Sequence, residues 1–319
     1  MNTNSHLPKD TPEDKIFDFK LIKQDLDNLV ETFINKIDRT SPLRRIKNAD
    51  HIISAFVKIA KNIYKTIIYL CATKPVDYKR KKEYIFSTLP LLRVLLEEVF
   101  TVVFISEDLD SRIQWYLKAG WREMKEENDR IYKRFKDDPH WQKILPGLGR
   151  VVEEGQIELN LTDTEIKTLN KIRYWPIPSR MLNEVSAIET KNLFQFLDDW
   201  FYKQFSQSAH ISLHGLFQTE VYLSRANEND EMTTYVEKMR ALCVFNAVTF
   251  ILMLLSEIEH ILNFNLKTRL AYIWGIVTNY SEDAKKLYEM RYSIFLIRSS
   301  NYSPSADGAP KHNHAGPSV

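Results

Sequence analysis

The segment Ala241–Leu255, ALCVFNAVTFILMLL, limits what this chain can fold into more than any other. A helix that is apolar on every side must be covered by other helices or by lipid. A bilayer needs roughly twenty apolar residues. This run is shorter, contains Asn246 and Thr249, and is closed by Arg240 and Glu257. We therefore expect the buried central helix of a soluble bundle. A membrane-associated effector driven by this helix is the weaker alternative. The other apolar run, Leu89–Ile105, carries Arg93, Glu97 and Glu98 and does not read as a span.

The rest of the chain follows helical periodicity. Only 8 glycines occur in 319 residues, and long stretches repeat apolar residues every three to four positions. From about Glu13 to Ile37, the residues Ile16, Phe19, Ile22, Leu26, Leu29, Val30, Phe33 and Ile37 form one face. A second helix, from about Arg44 to Ala72, is expected to bury Ile52, Phe56, Ile59, Ile63, Ile67 and Leu70. The third runs from about Lys79 to Ile105 with a disturbance at Pro90, and the fourth, capped by Asp108 or Asp110, to about Asp137. Residues 138–160, with two prolines and three glycines, read as a loop-rich insertion. Thr162 and Glu165 form a capping box, and Trp175–Ser179 reads as a rigid connector. Helices near 180–187, 191–214, 230–263, 265–279 and 282–299 follow. The expectation is an all-α multi-helix bundle over 13–300, with two packed halves meeting near 138–160. Residues 1–12 read as a flexible N-terminus and 301–319 as a disordered tail.

With 44 Lys and Arg against 42 Asp and Glu, the formal charge is +2. That near-neutrality gives no general electrostatic case for nucleic acid. The basic clusters Arg44–Lys47 and Lys79–Lys82 read as solvated helix ends. Cys71 and Cys243 lie in apolar surroundings and read as buried free thiols in a reducing compartment. No apolar signal core occurs near the N-terminus. The expected location is cytoplasmic.

The richest chemistry lies in FYKQFSQSAHISLHG, where Tyr202, Ser206, His210 and His214 recur every fourth residue. In a helix that spacing makes one polar stripe. His210 and His214 could chelate a metal, but the segment supplies no third ligand, so no metal and no cofactor are expected. His214 adjoins Gly215 and reads as a capping residue, His210 as the buried, hydrogen-bonded one. Arg93 and Glu97, also four apart, sit in a strongly apolar helix. Charges there must pair with each other or with a neighbouring polar group. Arg93, Glu97, Tyr202, Ser206 and His210 are thus expected to meet in one buried polar cluster.

Arg93-x-x-x-Glu97, the Trp175-Pro loop and Tyr202-x-x-x-Ser206-x-x-x-His210-Ile-Ser212 together resemble a family of bacterial all-helical proteins catalogued only as a domain of unknown function. The resemblance spans roughly 50–265 and implies a helical bundle with a polar site where Arg, Glu, Ser and His meet. Some relatives neighbour mobile-element and defence genes. A second pattern, Arg followed by His after four to six residues, is similar to that of small helical ribonucleases of toxin and phage-defence systems. It fits Arg45–His51 and Arg134–His140.

The resulting expectation is a binding or regulatory component, of a phage-defence or stress system. The alternative is a metal-independent ribonuclease with a histidine base and an arginine that stabilises the phosphorane. A protein or RNA is the partner these readings admit, and self-association is left open.

Overall fold

A computed structural model describes residues 17–40, 48–72, 81–209 and 230–296. The helices are α1 (Lys20–Thr40), α2 (Ala49–Ala72), α3 (Lys81–Glu107), α4 (Leu109–Phe135), α5 (Leu145–Glu158), α6 (Asp163–Lys167), α7 (Pro178–Glu184), α8 (Ile188–Leu197), α9 (Lys203–Ala209), α10 (Asp230–Leu262), α11 (Lys267–Thr278), α12 (Glu282–Leu287) and α13 (Ser293–Leu296). No strand occurs among the described residues. The chain is all-α, as the periodicity predicts. His210 and His214, Arg45 and both chain ends lie outside the described residues.

The apolar segment 241–255 belongs to α10, and every residue from Cys243 to Glu259 is buried. By length and composition this helix could cross a membrane, yet 89% of its apolar window is covered by the protein itself. Helices α2 and α3 provide most of that cover, and α11 closes another side. Leu92, Leu96, Val99 and Phe100 of α3 and Ile53, Val57, Ala60 and Ile67 of α2 are among the buried residues of this core. Helix α1 buries the face read from its sequence, Phe19 through Ile37, against α2 and α11.

Two local expectations change. In α2, Ile59 is 46% exposed, and the buried file runs Ile53, Phe56, Val57, Ala60, Tyr64, Ile67, Cys71. With α1, α3 and α10 all packing on α2, its buried arc is wide and centred differently from the isoleucine stripe. The stretch 138–160 is folded rather than loop-rich. Trp141–Lys143 makes a 3₁₀ turn, and α5 follows with Pro146 in its first turn, where the missing N–H costs nothing. Gly155 has a packing reason: a Cβ there would stand 3.1 Å from Cδ1 of Trp121. Trp121, Val152 and Ile172 form a second, smaller core, and the Trp121 indole N–H donates to the Val152 carbonyl (2.9 Å).

Helix ends follow their chemistry. The Asp108 side chain accepts from the Ser111 amide, and Thr162 and Glu165 complete the capping box. After α10 the chain turns at Asn263 and Asn265, both at positive φ. The Glu259 carboxylate accepts the amides of Phe264 (3.1 Å) and Leu266 (3.0 Å) across that turn.

The C-terminal helices are fixed by one buried ion pair. Arg291, in a π-turn between α12 and α13, reaches Glu257 of α10. Its Nη2 donates to Glu257 Oε2 at 2.9 Å and its Nη1 to Thr190 Oγ1 at 2.9 Å. Ser106 of α3 donates to the same carboxylate at 3.0 Å. Glu257 is fully buried and Arg291 is 11% exposed, so removing one partner leaves an uncompensated internal charge. Arg291→Ala and Glu257→Ala should each cost about 3–5 kcal/mol in urea melts, and the double variant clearly less than the sum. Additive losses would show that the two side chains do not act as a pair.

Candidate functional site

Arg93, Glu97 and Thr101 follow one another at four-residue spacing along α3, which puts them on one face. The opposite faces of α3 are spent on α10 and α2, so this polar file lies at the edge of the core. Tyr202 reaches it from another helix. Between α8 and α9, residues Asp198–Tyr202 form a π-turn, and the extra residue per turn re-aims the side chains that follow. Arg93 Nε is 3.0 Å from Glu97 Oε1, and its Nη2 donates to the Tyr202 hydroxyl at 3.3 Å. That hydroxyl donates to the same Glu97 oxygen at 3.0 Å. The guanidinium carbon also lies 5.3 Å from the Tyr202 ring centre. Burial, and then the Glu97 charge, push the Tyr202 hydroxyl above the ordinary phenol range, so it remains a proton donor.

Arg93, Glu97 and Tyr202 line a cleft of about 680 Å³ between α3, α4, α5 and the 175–178 connector. Its apolar wall includes Tyr116, Trp121, Trp175 and Met181, and Asn48, Glu123 and Glu158 add further polar groups. Trp175 is wedged edge-on among Phe104, Trp115 and Tyr116, with ring centres 5.4, 5.4 and 4.9 Å away. The connector that carries it is pinned to α4. Trp115 Nε1 donates to the Arg173 carbonyl at 3.2 Å, and the buried Arg122 donates to the Ile172 carbonyl at 2.5 Å. Prolines 176 and 178 stiffen the backbone on the far side. The wall is therefore built before any ligand arrives.

Behind Glu97 stands Glu98. Its Oε2 is buried with no hydrogen-bond partner among the described residues. Burial, and then the neighbouring Glu97 charge, push its carboxyl up to about 7. Tyr116 is raised as well, by burial and then by the Glu98 and Glu123 charges.

Of the five residues the sequence nominates, the structure brings Arg93, Glu97 and Tyr202 together. Ser206 is one turn further along α9, with its hydroxyl buried and unpartnered among the described residues. His210 lies outside them. His51 and His140 are exposed, and neither lines the cleft. Sequence reading missed Tyr116, Glu123 and Met181 as lining residues. Tyr116 and Glu123 sit on a helix that reads as an ordinary charged surface, and only the crossing of α4 with α3 turns that face inward. Among the described residues no group of His, Cys, Asp and Glu is arranged to hold a metal ion.

A model of a family of unknown function, DUF5677, matches residues 50–232, more than half of the chain. The chain belongs to the DUF5677 family. No curated protein and no solved structure matches it. The DUF5677 span contains Arg93, Glu97, Trp175, Tyr202, Ser206, His210 and Ser212, the residues that carry the resemblance seen in the sequence. It also contains all the described cleft lining except Asn48.

Glu98 makes stability depend on pH. Between the ordinary 4.5 and about 7 the folded protein keeps a proton that the unfolded chain releases. The folded state binds more protons in that window, so its stability falls as pH rises through it and levels off above about 7. Relative to Glu98→Gln, the native chain should lose about 1–3 kcal/mol between pH 5 and pH 8 in denaturant melts. Parallel pH profiles of the two proteins would contradict the assignment.

Proposed function

We propose that this protein is a ligand-binding, regulatory component whose cleft takes a small planar molecule carrying N–H donors. The observation that carries this reading is the pairing of a prebuilt aromatic wall with a carboxylate fixed at its polar end. A volume of about 680 Å³ suits a small molecule, since such pockets run from roughly 300 to 1,000 Å³. Tyr116 and Trp175 offer ring faces and edges to a flat ligand. Glu97 spends Oε1 on Arg93 and Tyr202, which leaves Oε2 to accept from the ligand. A nucleobase-like heterocycle combines the required flatness with N–H donors. In a bacterial cytoplasm such a protein would serve as the sensing part of a stress or defence system, with occupancy of the cleft as the signal.

Ribonuclease chemistry has less support. A polyanionic substrate would meet Glu97, Glu123 and Glu158 in the lining, with Arg93 bound to Glu97. No histidine lines the cleft among the described residues. A membrane role also has less support, because α10 is covered by protein.

Calorimetric titration with adenosine, guanosine, cytidine and uridine tests the reading, alongside incubation with a labelled RNA oligonucleotide. At least one nucleoside should bind with Kd below about 1 mM, and Glu97→Gln should weaken it about ten- to a hundred-fold, as expected for losing a charge-assisted hydrogen bond. Binding indifferent to Glu97→Gln, or no binding at all, would overturn it. RNA cleavage abolished by His210→Ala or His51→Ala would replace it with the ribonuclease.

A further inference from the structure

The two cysteines are 172 positions apart in sequence and meet in the core. Cys71 is the penultimate residue of α2, and Cys243 stands where the fully buried stretch of α10 begins. Both are buried free thiols, and each lies close enough to influence the other's titration. Thr88 of α3 donates a hydrogen bond to Cys243 Sγ at 3.4 Å. Arg240, one turn before Cys243 on α10, donates through Nη1 to the Cys71 carbonyl at 2.8 Å. Three helices therefore meet at this pair of thiols, and the Arg240 guanidinium holds the backbone of one of them.

We propose that Cys71 and Cys243 are a peroxide-reactive pair that closes to an intramolecular disulfide and ties the C-terminal end of α2 to α10.

The surroundings divide the roles. The Thr88 hydroxyl donates to Cys243 Sγ at 3.4 Å, and a donor on the sulfur favours its thiolate. Cys243 is thus the thiol that ionises first, and the thiolate is the nucleophile. It attacks one oxygen of hydrogen peroxide and the O–O bond breaks. The departing hydroxide takes up the proton that Cys243 released, giving a sulfenic acid and one water. The Cys71 sulfur then attacks the sulfenyl sulfur, the S–O bond breaks, and the Cys71 proton leaves with the hydroxide as a second water. Both sulfurs are oxidised by one electron and the peroxide is reduced to two waters.

Access comes from the position of Cys71. It lies in the last turn of α2, beside Tyr69, which is 69% exposed. Helix ends open at lower free energy than helix centres, and peroxide is close to water in size. This inference stands independently of what the cleft binds.

Native full-length protein is treated with hydrogen peroxide, quenched, and analysed by intact mass and by peptide mapping without reductant. The wild-type chain should lose two hydrogen masses and both free thiols, yield one cross-linked peptide pair joining Cys71 to Cys243, and recover fully with dithiothreitol. Cys71→Ser should stop at a dimedone-trappable sulfenic acid on Cys243, and Cys243→Ser should leave Cys71 at least ten-fold slower to oxidise. Thiols that persist in folded wild-type protein, separate oxidation without a cross-link, or only intermolecular disulfides would each overturn the proposal. The wild-type measurement decides it even where a variant fails to fold.

Discussion

The rest of the fold is organised by the need to keep α10 out of water. An apolar helix with no polar face has no stable place on the surface of a bundle. Helices α2 and α3 are laid against it along its buried length, and each buried leucine or phenylalanine contributes roughly 1.5–3 kcal/mol to that association. Three of the polar groups that α10 buries tie other parts of the fold to it. Glu257 fixes Arg291 and so the C-terminal helices, Glu259 caps the turn that follows, and the Ser256 hydroxyl accepts from the Trp274 indole at 3.0 Å.

The cleft is a consequence of that arrangement. Once α3 has given most of its circumference to α10 and α2, the residues Arg93, Glu97 and Thr101 are left on the remaining edge. Helix α4 leads away from α3 and carries a second, smaller core around Trp121. The gap between the two cores is lined by Arg93, Glu97 and Tyr202 beside α3 and by Tyr116, Trp121, Glu123 and Glu158 from α4 and α5. A site built this way is stiff, because the same contacts that stabilise the fold set the positions of its walls. Preorganisation of that kind lowers the entropy lost on binding.

Much of this was legible in the sequence, for definable reasons. The face of α1 and the burial of α10 follow from periodicity and length, and the capping box at Thr162 from local chemistry. The meeting of Arg93 and Glu97 with Tyr202 follows from the cost of leaving charges unpaired among apolar side chains. What escaped depends on tertiary contact. The face of α2 is set by three partners rather than by its isoleucines. Residues 145–158 form a helix despite Gly147, Gly149 and Gly155, because Pro146 suits a first turn and Trp121 needs the space at Gly155. The π-turns at Asp198–Tyr202 and Tyr288–Tyr292 leave no simple signature, yet they hold Tyr202 and Arg291 where each makes its decisive contact. The pairing of Cys71 with Cys243 is likewise a product of how α2 crosses α10, since nothing in their spacing implies it.

The central claim is that α10 is the protein's own core and everything else is arranged around it. Native-state hydrogen exchange, in aqueous buffer without detergent, tests it most directly. Amides from Cys243 to Ile258 should be the slowest in the chain, with opening free energies equal to that of global unfolding. The last turn of α2, around Tyr69, should exchange at much lower cost. Rapid exchange along Cys243–Ile258, or protection that develops only when detergent or lipid is added, would contradict the account.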